Sequence, residues 1–370
     1  MSKKFILKKI VLAGSLLAVA NISYAEGFKR FSVSAGWLHV MPQGKANPFN
    51  INTAVPKGTV ANVGAISPDA FINAIDPDAV LNDEPKTNAK EFLKDTLPTL
   101  GEILGVFDEQ GNISADVTGT TTINGIDQWR NEGTGLEAED ADTLGLMVNY
   151  YINDNVSLQF IGGIPPKVDI KGKGEIVANM NGIALPQGDI SGLFPNGELP
   201  LLTDIPITNL GNKNKAATVR AWTPALEVQY QFGKSGINKF RPYIGAGVMY
   251  AHFNDIKLDG GINSDLIAAG HMIQNILDGK AGAALDKKVS SANPYVKVKA
   301  EDAFAPIITL GATYDISDNW YSVASVSYAK LNNKTTIDVT DGNTGTRLIN
   351  SSTKIDIDPL ITYVGVGYRF

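Results

Sequence analysis

The chain has no cysteine. Disulfides are therefore excluded, even in an oxidising compartment that would permit them. It has three histidines in 370 residues, little material for a histidine-rich metal site. Beyond its first 25 residues it lacks any stretch close to the ~18 uninterrupted apolar residues of a membrane helix. Positive charge is not in excess either: 32 basic residues face 38 acidic ones, a formal net charge of −6. An acidic chain argues against nucleic acid as a partner. Stability has to come from burial, from a closed sheet, or from both.

The longest apolar run, residues 10–20, follows Lys3, Lys4, Lys8 and Lys9 and precedes Ser23-Tyr24-Ala25. A basic start, a short apolar stretch and a small-residue cleavage pattern read as a secretory leader, 1–25, with 26–370 as the mature protein. A membrane anchor is the alternative, but the run is short for a span. Removing four lysines takes the basic count from 32 to 28 against 38 acids, so the mature chain carries −10.

What the sequence does have is long alternation. Period-two patterns occupy eight segments: 29–41, 140–151, 155–170, 219–232, 240–253, 303–316, 320–339 and 354–370. Each is longer than the ~5–6 residues usual in soluble strands and meets the ~9–11 needed to cross a bilayer as a barrel strand. One face of each is apolar, as with Leu144, Leu146, Val148 and Tyr150, or Leu226, Val228, Tyr230 and Phe232. Opposite run polar or small residues such as Ser157 and Gln159, or Glu227, Gln229 and Gln231. The seventh segment, with Val323, Ser325, Val326 and Ser327, leaves its faces ambiguous.

The connections alternate as well. Short turns at 152–154, 233–239 and 317–319 take turns with long loops at about 42–139, 171–218, 256–300 and 340–353. That parity is the pattern of an outer-membrane barrel, and an even strand count lets the sheet close. The expected fold is all-β: an eight-stranded antiparallel transmembrane β-barrel with long extracellular loops, some carrying short helices. A secreted β-sandwich would show shorter strands and no such parity. The last residues, Tyr368 and Phe370, keep the alternation to the end of the chain. This ending resembles the signal of proteins inserted by the outer-membrane assembly machinery. In the loops, Ser67-Pro68-Asp69 and Asn88 mark helix starts, and Ser264 could cap a helix ending near Gly279. Loop 171–218 is apolar for an exposed connection, through Met180, Ile183, Phe194, Leu199 and Leu202. It either packs a loop mini-domain or lines an entrance for greasy ligands.

The stretch DTLGLMVNYYINDNVSLQFIGGIPPKVDI, from Asp142 to Ile170, resembles the OmpW family of outer-membrane proteins. KFRPYIGAGVMYAHF, SVSAGWLHVMPQG and the terminal VGVGYRF are similar to other parts of that family. The likeness covers the strands and not the loops, of which the first is unusually long. It implies a monomeric Gram-negative outer-membrane barrel, related to AlkL-type channels, that takes up small hydrophobic molecules and releases them sideways into the bilayer. No cofactor is implied. Outer-membrane lipid, lipopolysaccharide and the assembly machinery are the other expected partners.

An eight-stranded barrel is only wide enough for its own side chains or one small ligand, so a wide aqueous pore is excluded. Leu38, Val40, Ile161 and Met249 are the expected hydrophobic lumen. Gln159, Glu227, Gln229, Gln231 and Arg369 are the expected polar plug nearer the turns. Pro165, Pro166 and Pro224 interrupt strands three and four, where proline removes a ladder donor. They read either as a lateral gate or as strand ends tolerated for folding. His39, His252 and His271 read as rim or loop histidines, with no G-x-S-x-G nucleophile motif present, so no enzyme is expected. The acidic run Glu132, Glu137, Glu139, Asp140 and Asp142 could gather divalent cations or simply be solvated. Trp37, Trp222 and Trp320 fit interfacial girdles. A different class of function also suits the long loops: a surface adhesin or receptor anchored by the barrel.

Overall fold

The computed structural model describes residues 29–370; the expected leader lies outside the described residues. Eight strands form the barrel: β1 (Phe31–Met41), β2 (Ala141–Tyr151), β3 (Val156–Gly163), β4 (Ala225–Gln231), β5 (Phe240–Leu258), β6 (Ala303–Asp315), β7 (Trp320–Ala329) and β8 (Leu360–Arg369). Each pairs antiparallel with its neighbours in sequence, and β1 pairs with β8 from Ser32↔Arg369 to Met41↔Leu360. The sheet therefore has no first or last strand within the barrel. Closure is what lipid demands, because an unpaired backbone group has no water to bond there.

Alternation decides which side chains meet lipid. Leu226, Val228, Tyr230, Ile308, Leu310, Val364 and Val366 project outward and are exposed. Ser32, Ser34, Thr309, Thr313, Tyr321 and Tyr363 project inward and are buried. On β7 the inward set is Tyr321, Val323, Ser325, Ser327 and Ala329, which resolves the ambiguous segment. The inner wall fits tyrosine against glycine: a Cβ built on Gly367 would lie 2.2 Å from the Tyr321 ring, and one on Gly311 would lie 2.4 Å from Tyr243. The turns are short and self-bonded. Asn153 accepts from the N–H groups of Asn155 and Val156 at 2.9 and 2.8 Å, and Ile316 N–H donates to Trp320 O at 2.8 Å.

The opposite end differs most from expectation. The long connections fold into a cap with two sheets of their own, beyond the short helices and the packed 171–218 loop that the sequence suggests. A five-stranded sheet runs Pro294–Ala300, Asn332–Asp341, Arg347–Asp356, Phe49–Thr53 and Gln128–Asn131. A four-stranded sheet runs Leu199–Asn209, Glu175–Leu185, Thr120–Asn124 and Thr59–Asn62. The upper half of β5 leaves β4 and extends the barrel wall through Ala217–Trp222, Lys167–Lys173 and Gly135–Ala138. Segment 320–339 is thus two strands of different sheets, as is 354–370; segments 155–170 and 219–232 are each broken in the middle.

Helices pack within this cap. Ser67 caps α1 (Pro68–Ala74) by accepting from Ala70 N–H, and Asn88 caps α2 (Ala89–Leu104) by accepting from Glu91 N–H. The longest helix, α3 (Gly260–Leu277), is capped by Asp259 and not by Ser264, which sits one turn inside it. Asp259 accepts from both Gly261 and Ile262 N–H, satisfying donors that Ser264 could not reach. Ile262, Ala269, Met272, Ile273 and Ile276 bury the inner face of α3 in a core continuous with the barrel interior. In loop 171–218, Met180, Phe194, Leu199 and Leu201 are buried, whereas Ile183, Leu185, Leu193 and Leu202 face outward.

Two outcomes follow. Gly367→Val drives a side chain into the Tyr321 ring and should cost about 1–3 kcal/mol, the usual range for overpacking. It would appear as a lower temperature for converting the folded, fast-migrating gel band to the unfolded one. In the cap, the buried Asp341 carboxylate accepts from the Thr344 hydroxyl and from the Asn293, Asn343 and Thr344 N–H groups. These bonds, the Thr344 hydroxyl first, hold its pKa down to about 2 from an ordinary 3.8. Because the folded value lies below the unfolded one, its stabilisation is complete above the unfolded value and is lost as pH falls towards the folded one. Pepsin cleavage near residues 341–346 should therefore rise as pH drops from about 4 to about 2. Asp341→Asn should flatten that dependence.

Candidate functional site

One apolar cavity of about 570 Å³ joins the outer half of the barrel to the cap. Leu38, Met147, Ile161, Met249 and Ile307 line its barrel part, and Val40 lies at the rim. Phe49, Leu136, Ile262, Ile337 and Ile355 continue the lining into the cap. Nothing in the sequence of the first loop, of 256–300 or of 332–356 marks this second group as belonging to the same chamber.

The cavity wall is interrupted on one side. The β3–β4 ladder ends at Ile161↔Ala225, and pairing resumes higher up at Lys167↔Arg220. Between them stand Pro165 and Pro166 on one side and Pro224 on the other, none of which has an N–H to offer the ladder. Neighbouring groups hold the loosened backbone. Ile164 N–H donates to Leu144 O at 3.1 Å, the Thr143 hydroxyl donates to Ile164 O at 2.5 Å, and Pro224 O accepts from Tyr250 N–H at 2.9 Å. Arg220 Nη1 donates to Pro165 O at 3.3 Å. Phe160, Ile164 and Trp222 line the cavity and are also exposed on the outer surface. Beside the break between residues 162–165 and 222–224, the chamber's lining and the barrel's outer surface thus share residues.

Its floor is polar. Gln229 donates to Gln159 at 2.7 Å, Gln231 to Thr313 at 2.7 Å, and Thr309 to the Glu227 carboxylate at 2.6 Å. Ser327 meets Thr309 at 2.7 Å, while Tyr321 and Tyr363 donate to Ser32 and Ser34 at 3.0 Å. Nearer the turns, Arg369 pairs with Asp315 at 2.6 Å and lies 4.4 Å from the Tyr321 ring centre. The buried Arg241 donates to Asp154 O at 2.5 Å. Sequence reasoning passed over Arg241, although alternation from Tyr243 and Gly245 puts it on the inner face.

The histidines lie elsewhere. His39 and Trp37 both bond Asp142 at 2.8 Å on the outward face of the rim. His252 and Tyr250 both bond Asp302 at 2.7 Å, and those bonds, that of Tyr250 first, hold Asp302 below the ordinary carboxylate range. His271 meets Ser290 at 2.9 Å in the cap. The acidic run is dispersed by separate partners: Glu132 with Arg130, Glu139 with Lys171, and Glu137 with the Ala46 N–H. Among the described residues no three His, Asp or Glu side chains could together hold a metal ion. Trp37, Trp222 and Trp320 are exposed outward, and Phe370 contacts Tyr368 with ring centres 5.1 Å apart.

Residues 278–370 match the model of the OmpW family. That match covers the last quarter of the chain, from the end of the longest helix through β6, β7 and β8. It is 24% identical over 259 residues to outer membrane protein W of Vibrio cholerae, covering 70% of this chain and 87% of that one. It is 23% identical to the dibenzothiophene metabolism operon protein PahQ of Pseudomonas aeruginosa, covering 70% and 84%. It is 22% identical to outer membrane protein AlkL of Ectopseudomonas oleovorans, covering 62% and 66%. The crystal structure of OprG from Pseudomonas aeruginosa superposes with a TM-score of 0.48 at 15% identity, covering 94% of this chain and 99% of that one. The barrel sits in the outer membrane of a Gram-negative cell, its outward apolar face in the lipid.

The floor generates a test. Thr309→Val removes the hydroxyl that donates to the buried Glu227. Losing that donor should cost about 1–3 kcal/mol, read as a lower urea midpoint for barrel unfolding, and Glu227→Leu in the same background should recover part of it.

Proposed function

We propose that this barrel passively takes up small hydrophobic molecules across the outer membrane, through the apolar chamber and out of its side opening into the bilayer. The observation that carries the reading is the continuity of the chamber with the break at Pro165, Pro166 and Pro224. Cargo leaving water gains about 0.8 kcal/mol per buried CH₂, first on the apolar lining of the cap and then against Leu38, Val40, Ile161 and Met249. Travel straight down would require an alkyl chain to displace the hydrogen-bonded Gln159, Glu227, Gln229 and Gln231, leaving buried polar groups unmatched. Arg369 closes the turn end behind them. Sideways, the same chain passes from apolar lining to lipid at little cost. No cofactor or energy source enters this scheme. The names of the relatives AlkL and PahQ, the latter from a dibenzothiophene metabolism operon, support it. The barrel acts as a monomer, delivered by the outer-membrane assembly machinery through the strand ending in Tyr368 and Phe370.

A second reading, a surface adhesin or receptor, draws support from the cap. The outer face of its four-stranded sheet exposes Val60, Ile183, Leu185 and Leu202.

Uptake of a radiolabelled medium-chain alkane by cells lacking or expressing the protein, against a small sugar, tests the conduit. Expression should raise alkane uptake and leave sugar uptake unchanged. Met249→Trp, which fills the chamber, should reduce alkane uptake several-fold while the surface-exposed barrel still assembles. Equal uptake with and without the protein would sink the conduit and leave the surface reading.

A further inference from the structure

Just above the side opening, Lys167 and Arg220 stand directly opposite each other on paired strands. Their neighbours Val168, Val219 and Ala221 point inward and are buried. Lys167 is therefore exposed and Arg220 half-exposed on the outward face. Like charges directly across a ladder destabilise the pair, and an anion held between them would relieve that repulsion. None is supplied from within: neither side chain makes an ion pair among the described residues. Asp169, two residues along the same face, is engaged by Lys215 at 3.1 Å and Thr218 at 3.0 Å. Asn254, which pairs with Arg220 on the other side, is neutral.

The position of the pair is informative. Arg220 Nη1 is tied to Pro165 O at the edge of the break, which leaves most of the five guanidinium donors uncommitted. Trp222, a rim residue of the opening, lies two residues below, about 7 Å along the strand. Tryptophan marks the level where hydrocarbon meets headgroups, so the two cations sit at headgroup height over a slit that opens at acyl-chain height. An amphiphile leaving the chamber tail-first would bring its head to this spot last. A guanidinium and an ammonium side by side fit a carboxylate, the first through paired N–H donors.

We infer that Lys167 and Arg220 form a headgroup subsite for the carboxylate of a fatty-acid-like cargo whose tail occupies the apolar chamber. This rests on the conduit reading and narrows its cargo from apolar molecules in general to anionic amphiphiles. Arg220 also serves as a strap across the broken ladder, so carboxylate binding and the width of the opening are coupled through the Pro165 carbonyl.

The test is equilibrium binding of dodecanoate and dodecanol to the full-length protein in nanodiscs of zwitterionic lipid. Three proteins are compared: wild type, the double variant K167Q/R220Q, and Met249→Trp as a chamber control. The wild type should bind dodecanoate several-fold more tightly than dodecanol. The double variant should lose that preference, binding dodecanoate no more tightly than it binds dodecanol. Met249→Trp should weaken both ligands. Equal affinities for both ligands in wild type, or a preference that survives in the double variant, would overturn the subsite and leave the conduit intact. Failure of the wild type to bind either ligand would overturn the conduit and the subsite with it. Nanodiscs containing lipid A supply the remaining arm. If its phosphates abolish the dodecanoate preference, the pair belongs to a structural lipid and the cargo assignment falls.

Discussion

Every feature of this protein depends on one requirement: a backbone that crosses lipid must find all its hydrogen-bond partners within itself. The pairing of β1 with β8 meets it, joining residues more than three hundred positions apart, as when Tyr363 donates to Ser34. Once the sheet is closed, its interior is fixed in width. Tyrosine rings then have room only because glycines face them across the ladder. The same closure makes the break between β3 and β4 meaningful. In an open sheet, three prolines would end an edge; in a closed wall, they interrupt the ladder, and the bonds to Leu144, Tyr250 and Arg220 show the cost being met group by group.

The chamber and its floor divide the barrel by chemistry. The outer half is lined by aliphatic residues and methionine, the inner half by amides, hydroxyls and paired charges. That division gives the molecule a direction without a moving part. In the proposed uptake, an apolar guest enters from one end, is refused at the other, and leaves at the seam between them.

The barrel was legible in the sequence because lipid on one side and a packed lumen on the other impose strict alternation on long strands. The parity of turns and loops told which end was which, and the three prolines marked the interruption. The cap was not legible, for identifiable reasons. Its strands Thr120–Asn124 and Gln128–Asn131 are short and polar, with no apolar face to announce them. The strand after β7 was absorbed into it because Ala329, Leu331, Asn333 and Thr335 keep the inward phase of Ser325 and Ser327 without a slip. Asp259 was overlooked as a cap because two glycines follow it, where a helix is not expected to begin. The lumen residues on the strands could be read from alternation. Their companions Phe49, Leu136 and Ile262 could not, since only tertiary folding brings them to the same chamber.

The arrangement of the cap also constrains the order in which the molecule can be made. The strand Phe49–Thr53 lies between Gln128–Asn131 and Arg347–Asp356, so an early segment waits for one of the last to be synthesised before its sheet exists. The hairpin it waits for is continuous with β7 and β8, the strands that bring the barrel to closure. Pairings of such long range are slow to form. The five-stranded sheet is thus incomplete until residues 347–356 have been made, and the part of the chamber lined by Phe49, Ile337 and Ile355 takes shape only then.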